Sequence, residues 1–180
     1  MPPGAESFDD RHRPEAEPWR RRPFAVEGQV GLGGPLGLAG LAFDVSPSAG
    51  FGLNVGAGIS NGTKMPSLAM SIRTRIIVAH GFALGTEGGL SVTRFEQHVN
   101  CSADGCPPEW HWDRAVFGHL GLLLERRTES GLALRWSFGM TGIFNVTEAQ
   151  CVRCKETDEP EVWTSTFPYT VLSAGWAFGP

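Results

Sequence analysis

From Pro23 to the C-terminus, bulky apolar residues alternate with small or polar ones at a period of two, the signature of strands with two unlike faces and not of helices. Eight such segments are drawn from the pattern. The first sets Phe24, Val26, Val30 and Leu32 against Glu27 and Gln29, and Gly33-Gly34-Pro35 turns the chain. The second runs from about Leu36 to Val45, with a turn over Ser46 to Gly50. In the third, Phe51, Leu53, Val55, Ala57 and Ile59 oppose Gly52, Asn54, Gly56 and Gly58. The fourth alternates Leu68, Met70, Ile72, Ile76 and Val78 with Ala69, Ser71, Arg73 and Arg75. After a tight Ala79-His80-Gly81 turn, the fifth sets Phe82, Leu84, Leu90 and Val92 against Ala83, Gly85, Glu87, Gly89 and Ser91. The sixth, about Arg114 to Glu125, is more apolar and its phase is ambiguous. The seventh opposes Leu132, Leu134, Trp136, Phe138 and Met140 to Ala133, Arg135, Ser137, Gly139 and Thr141, and the eighth, about Phe167 to Phe178, carries Leu172, Ala174, Trp176 and Phe178 in one register.

Connection lengths add a constraint of their own. The links after segments two, four and six are short, whereas those after three, five and seven span roughly Ser60 to Pro66, Glu96 to Asp113 and Asn145 to Thr166. In an antiparallel meander every second link lies at the same end, so long loops gather at one end and tight turns at the other. An even number of strands also brings the first beside the last. The expected fold is therefore an all-β, eight-stranded, antiparallel up-and-down barrel over residues 23–180 with no free edge.

Alternation fits either a soluble barrel with an apolar core or a membrane barrel with a polar one. The non-bulky face here is mostly Gly, Ala, Ser and Asn, which suits a crowded interior better than a water-facing sheet. The bulky face is almost free of charge at mid-strand. Turning Arg73, Arg75 and Arg135 toward lipid would cost roughly 2 to 4 kcal/mol each near the midplane. Pairing Val78 with Phe82 across the turn makes each couple sum to 160 and puts Arg73 opposite Glu87. With Arg75, Arg135 and Glu27 in the same lumen, these residues form an expected interior charge network. The competing reading is a set of unrelated solvated charges.

Aromatic residues map to both ends. Phe24, Phe43, Phe51, Phe82, Trp176 and Phe178 fall at the tight-turn end, and Phe95, Trp110, Trp112, Phe144, Phe167 and Tyr169 at the long-loop end, as two interfacial girdles would. With eight alternating segments, short turns at one end, longer loops at the other and a last strand ending Trp176-Ala177-Phe178, the chain resembles the small outer-membrane β-barrels of Gram-negative bacteria, the OmpA membrane domain and OmpX among them. The resemblance covers about Pro23 to Pro180. It implies a transmembrane β-barrel in the bacterial outer membrane, with long loops outside and both termini in the periplasm. Members of that family usually end on an aromatic residue, and here Gly179 and Pro180 follow Phe178. The family includes structural anchors, adhesion proteins, lipid-modifying enzymes and barrels without known activity, so fold alone does not select a function.

Cys101 and Cys106 lie in the loop after segment five, and Cys151 and Cys154 in the loop after segment seven, all at the expected outer end. An oxidising compartment favours disulfides, either as local pairs 101–106 and 151–154 or in a cross-loop connectivity. The rival is a zinc site of four thiolates with His98 or His111 nearby. Catalysis has little to stand on: His98, His111 and Ser102 share a loop but no motif joins them, and His119 is expected to pack or hydrogen-bond in the wall. No complete P-loop, dinucleotide-binding fingerprint or Gly-x-Ser-x-Gly elbow is present. The expectation is a protein that is not an enzyme and has no cofactor or bound metal.

Charge and composition close off other classes. Fifteen basic and 19 acidic residues give a net charge of -4, well mixed, so no basic face points to nucleic acid. The longest uncharged stretch, Val45 to Thr63, contains five Gly and a Pro and makes no credible membrane helix. Met1 to Arg22 is rich in Pro, Glu, Asp and Arg. It lacks the apolar core of a secretory signal and reads as a disordered periplasmic tail. The sequons at Asn61, Asn100 and Asn145 fall in long loops and read as ordinary loop residues. Expected partners are outer-membrane lipid and a surface partner at the loops, where Trp110, Trp112 and Trp163 offer contact area, with the chain itself a monomer. Two other classes stay open: a soluble barrel binding a small apolar ligand, and a membrane enzyme acting on lipid.

Overall fold

A computed structural model describes residues 17–60, 65–96, 109–153 and 166–179. A helical turn α1 (Glu17–Arg21) precedes β1 (Phe24–Leu32), β2 (Ala39–Ser48), β3 (Phe51–Ile59), β4 (Pro66–Ala79), β5 (Phe82–Glu96), β6 (Glu109–Arg127), β7 (Leu132–Ile143), the short β8 (Gln150–Arg153) and β9 (Thr166–Phe178). Eight of these strands pair in the order β5-β4-β3-β2-β1-β9-β7-β6, and β6 pairs back to β5. The ring is closed. Every pairing between barrel strands is antiparallel, and β1 lies beside the last strand, with Phe24 opposite Phe178.

The alternation settles which face is inside. Val30, Leu41, Val55, Met70, Leu84, Leu120, Trp136 and Leu172 all point outward and are exposed, and similar residues continue the band around every strand. Glu27, Asp44, Asn54, Ser71, Arg73, Glu87, Arg135 and Ser173 point inward and are buried. A water-soluble protein rarely exposes a contiguous apolar patch beyond a few hundred Å², and here the patch is the whole circumference. The soluble-barrel alternative required the bulky face inside, and the observed facing overturns it. No described helix is long and apolar enough to cross a membrane, which leaves spanning by strands untouched.

The expected ion-pair register holds: Arg73 pairs directly with Glu87. The turn differs. Ala79, not Val78, is the partner of Phe82, because the ladder shifts between Ile77 and Ala79. This shift makes a two-residue connection in which both His80 (φ 44°) and Gly81 (φ 79°) have positive φ. A right-twisted hairpin requires that mirror-image turn, and the irregularity in the strand accommodates it without disturbing the pairs beyond.

Three other boundaries and the placement of the aromatics depart from the sequence expectation. The second strand starts at Ala39; Leu36 instead leaves the wall and is buried within the loop end. The sixth strand is 19 residues long, so Trp110, His111 and Trp112 belong to a wall extension that β8 pairs against, not to a loop. At the other end, Glu17 to Arg21 of the expected tail form a helical turn with Trp19 fully buried. The fourth departure concerns the aromatics. Phe24, Phe43 and Phe178 cluster outside the turn end with centroids 5.9 to 6.4 Å apart, as a girdle would. At the loop end, however, Trp110, Trp112 and Phe117 are buried together with Ile143, and Phe95 and Phe167 pack against them. Tyr169 is also buried, so of the expected second girdle only Phe144 stands clearly exposed.

Candidate functional site

The lumen of the barrel is the most strongly constructed site in the molecule. Four arginines and four carboxylates face into it: Arg73, Arg75, Arg127 and Arg135 with Glu27, Asp44, Glu87 and Glu125, all buried. Their formal charges cancel. Arg73 pairs with Asp44 and, at 3.3 Å, with Glu87. Arg75 lies 2.7 Å from Glu125 and 3.6 Å from Asp44. Arg127 bridges the same two acids at 3.2 and 3.3 Å. Arg135 grips Glu27 with both terminal nitrogens and donates to Ser173 Oγ at 3.1 Å. Most of these links join strands that are not neighbours, so they brace the barrel across its interior.

All five network residues expected from sequence, Glu27, Arg73, Arg75, Glu87 and Arg135, are in the lumen. Asp44, Glu125 and Arg127 were missed. Asp44 was available from alternation alone, since Phe43 and Val45 flank it. Glu125 and Arg127 were hidden by the run Leu122-Leu123-Leu124, in which the middle residue turns inward and the phase cannot be read. Such a network is sustainable in a dry interior only when each charge has partners. Tyr169 supplies one more, donating to Glu87 at 3.2 Å, and His119 stands edge-on to the Tyr169 ring at 6.0 Å. His119 is thus an inward residue of the lumen, and its ring nitrogens have no hydrogen-bond partner among the described residues.

Both ends are stopped. At the turn end Trp19 enters where inward positions are small, Ala25, Ala83, Ala133 and Ala177, and its indole N–H donates to Glu125 at 3.1 Å. The Arg127 guanidinium lies 5.9 Å from its ring. At the loop end the β1–β2 link folds inward. Gly33 and Gly37 have positive φ, Ser67 Oγ donates to the Pro35 carbonyl at 2.9 Å, and a β-carbon on Gly58 would lie 2.2 Å from the Leu36 carbonyl. The glycines of β3 therefore make space for this plug. Between the plug and the aromatic cluster remains a cavity of about 90 Å³, lined by Ser60, Ser91, Phe95, Phe117 and Thr141 among others.

Above the lumen, the rim carries a second polar group. His111 lies 3.0 Å from Asp113 and 3.4 Å from Glu96, and Arg94 approaches both His111 (3.1 Å) and Asp113 (3.4 Å). Hydrogen bonds from His111 and Gln150 hold the Asp113 carboxyl below the usual aspartate range. No hydroxyl or thiol among the described residues completes a nucleophile–base pair with His111. His98 and Ser102 lie outside the described residues. Asn145 accepts from the Val116 amide at 2.8 Å and donates to the Arg114 carbonyl at 2.6 Å and to Glu148 at 2.7 Å. Its sequon amide is thus committed to structure; Asn61 and Asn100 lie outside the described residues.

The same limit applies to the cysteines. Only Cys151, on β8, is described; it is exposed and not free. Cys101, Cys106 and Cys154 lie outside the described residues, as do residues 1–16 of the expected tail and Trp163. Trp110 and Trp112, expected to offer contact area on the loops, are buried in the aromatic cluster instead.

No protein-family model matches the chain, and no curated protein matches it. Solved structures similar to it include the N-terminal β-barrel domain of Pseudomonas aeruginosa OprF, at 11% identity and a TM-score of 0.49, covering 86% of this chain and 96% of that one. Another is Acinetobacter baumannii CarO, at 13% identity and a TM-score of 0.43, covering 86% of this chain and 97% of the other.

Proposed function

We propose that this chain is a plugged outer-membrane β-barrel with a structural and surface-presenting role, which neither conducts solutes nor catalyses a reaction. The observation that carries this reading is the pairing of an apolar band around the whole outer wall with a filled, charge-balanced lumen. An eight-stranded barrel has an interior just wide enough for side chains. Here those side chains are cross-linked arginines and carboxylates, with Trp19 below and Leu36 above.

In this reading the long-loop end faces outward, stiffened by the β6–β8 extension, by the aromatic cluster beneath it and by disulfides among Cys101, Cys106, Cys151 and Cys154. Its partners are membrane lipid around the wall and a surface partner at the loops, and the protein works as a monomer. The chain is refolded with and without detergent micelles, run boiled and unboiled on a gel, then inserted in a planar bilayer. A heat-dependent mobility shift only with detergent, and no channel conductance, are expected. A β-rich, water-soluble monomer without detergent refutes the membrane reading, and steady conductance refutes the plug.

A further inference from the structure

The outer wall is not evenly filled. Pairing places Gly28 beside Ala174, Ala174 beside Leu134, Leu134 beside Arg126, and Arg126 beside Phe82. The next row toward the loops is Val30, Leu172, Trp136 and Leu124, all bulky. Because Gly28 and Ala174 project almost nothing, the bulky row stands over a groove of about 680 Å³ that crosses β1, β9, β7 and β6. Strands of such barrels tilt by about 35 to 45°, so a groove perpendicular to them runs obliquely through the band.

One end of this groove is charged. Arg126 sits one residue before the end of β6, exposed, with its guanidinium 4.9 Å from the Phe82 ring centroid, and makes no ion pair with a described residue. The same Arg126 borders a second depression, about 410 Å³, under the turn end with Pro18, His80, Thr128 and Glu129. A single arginine thus joins an apolar groove to a polar pocket at the rim. The charges around that rim favour an anion: exposed Arg20, Arg21 and Arg126 and half-buried Arg22, against exposed Glu129 and a half-buried Glu17 that pairs with Arg21.

We infer that this is a lipid site: an anionic phospholipid of the leaflet at the turn end lays one acyl chain under Trp136 and Leu172, its phosphate on Arg126 and its headgroup in the depression beside His80. The chain supplies contact without burying a polar group. The guanidinium supplies the forked donor set suited to a phosphate. Arginine on the lipid face is tolerated here because it lies at the interface, where the penalty falls to about 0 to 1 kcal/mol.

The inference rests on the membrane reading, and the test separates the two. The full chain is refolded into phosphatidylcholine bilayers containing phosphatidylglycerol, with one or the other brominated on its acyl chains, and tryptophan quenching is read. The signal of Trp136 is isolated as the difference between the parent chain and Trp136→Phe, and the heat-dependent gel shift is recorded for every sample. Brominated phosphatidylglycerol should be preferred at Trp136 about fivefold over phosphatidylcholine, the size expected for one arginine near an anionic surface. Arg126→Gln should bring the preference to about one, Arg126→Lys should restore part of it, and Glu129→Gln should increase it. High salt on the parent chain should reduce it without any substitution. Equal quenching by both lipids in a chain that shows the gel shift, or a preference that survives Arg126→Gln, overturns the site. A chain that stays in water overturns site and membrane reading together.

Discussion

The pair Glu27–Arg135 offers the cleanest test of how the lumen is held, because each of its other ion pairs shares a partner and this one does not. Arg135 Nη1 donates to Glu27 Oε1 at 3.1 Å, Nη2 donates to Oε2 and to Ser173, and both side chains are buried. At an effective dielectric of about 20, unit charges about 4 Å apart attract by roughly 4 kcal/mol. Removing one ion leaves the other buried and uncompensated, at a cost of about 3 to 5 kcal/mol. Glu27→Leu and Arg135→Met should each destabilise by that amount. The double variant removes both charges and should lose only about 0 to 2 kcal/mol, so it is more stable than either single one. Equilibrium urea unfolding from lipid vesicles measures this, with emission of the outward Trp136 and Trp176 as the signal and gel mobility as a second probe. Additive losses, with the double variant the least stable, would refute the argument. Two nearly neutral single variants would mean that water solvates these charges and the lumen is open.

Trp19→Ala should lose about 3 to 5 kcal/mol from the empty space it leaves, whereas Trp19→Phe, keeping a ring but not the N–H bond to Glu125, should lose about 1 to 2, both by the same urea assay. Asp113, at the rim beyond the apolar band, has its folded pKa depressed below an unfolded value of about 3.9 by His111 and Gln150. Its contribution to the rim is therefore present above about pH 4 and lost as pH falls through the lower folded value. Hydrogen exchange of β8 should accelerate there in the parent chain, and Asp113→Asn should show the faster exchange already at neutral pH. If the loop cysteines are disulfide-bonded, maleimide should label none of the four in the unreduced, denatured chain and all four after reduction; labelling before reduction would refute the bonds.

Much of this was legible because a strand repeats every two residues: once Phe82 and Leu84 are assigned to one face, Glu87 is committed to the other, and a hairpin fixes its partner Arg73. The same rule fails where both faces are apolar. In β6, Leu122, Leu123 and Leu124 erase the phase, and with it Glu125 and Arg127, although these hold Arg75, Asp44 and Trp19 together. Local pattern also says nothing about segments that enter the barrel from outside. Leu36 and Trp19 read as the first residue of a strand and a tail residue, and only the space left by glycines and alanines across several strands tells where they go. Aromatics at a strand end are equally silent about side: Phe24 lies out and Trp110 in.

The braces of the lumen also constrain how such a molecule comes into being. Among the described lumen pairs, Arg73–Glu87 is completed within a single hairpin, β4–β5, and Arg127–Glu125 within β6 itself. Glu27 waits 108 positions for Arg135, and Asp44 waits 83 for Arg127. A partly assembled wall would carry Glu27, Asp44 or Arg75 into hydrocarbon without a counter-ion and with two open strand edges, a state that lipid penalises on both counts. Closure of the ring and entry into the bilayer are therefore one event for this sequence: the last strand to arrive completes the edge between β7 and β1, and the Glu27–Arg135 brace spans that seam.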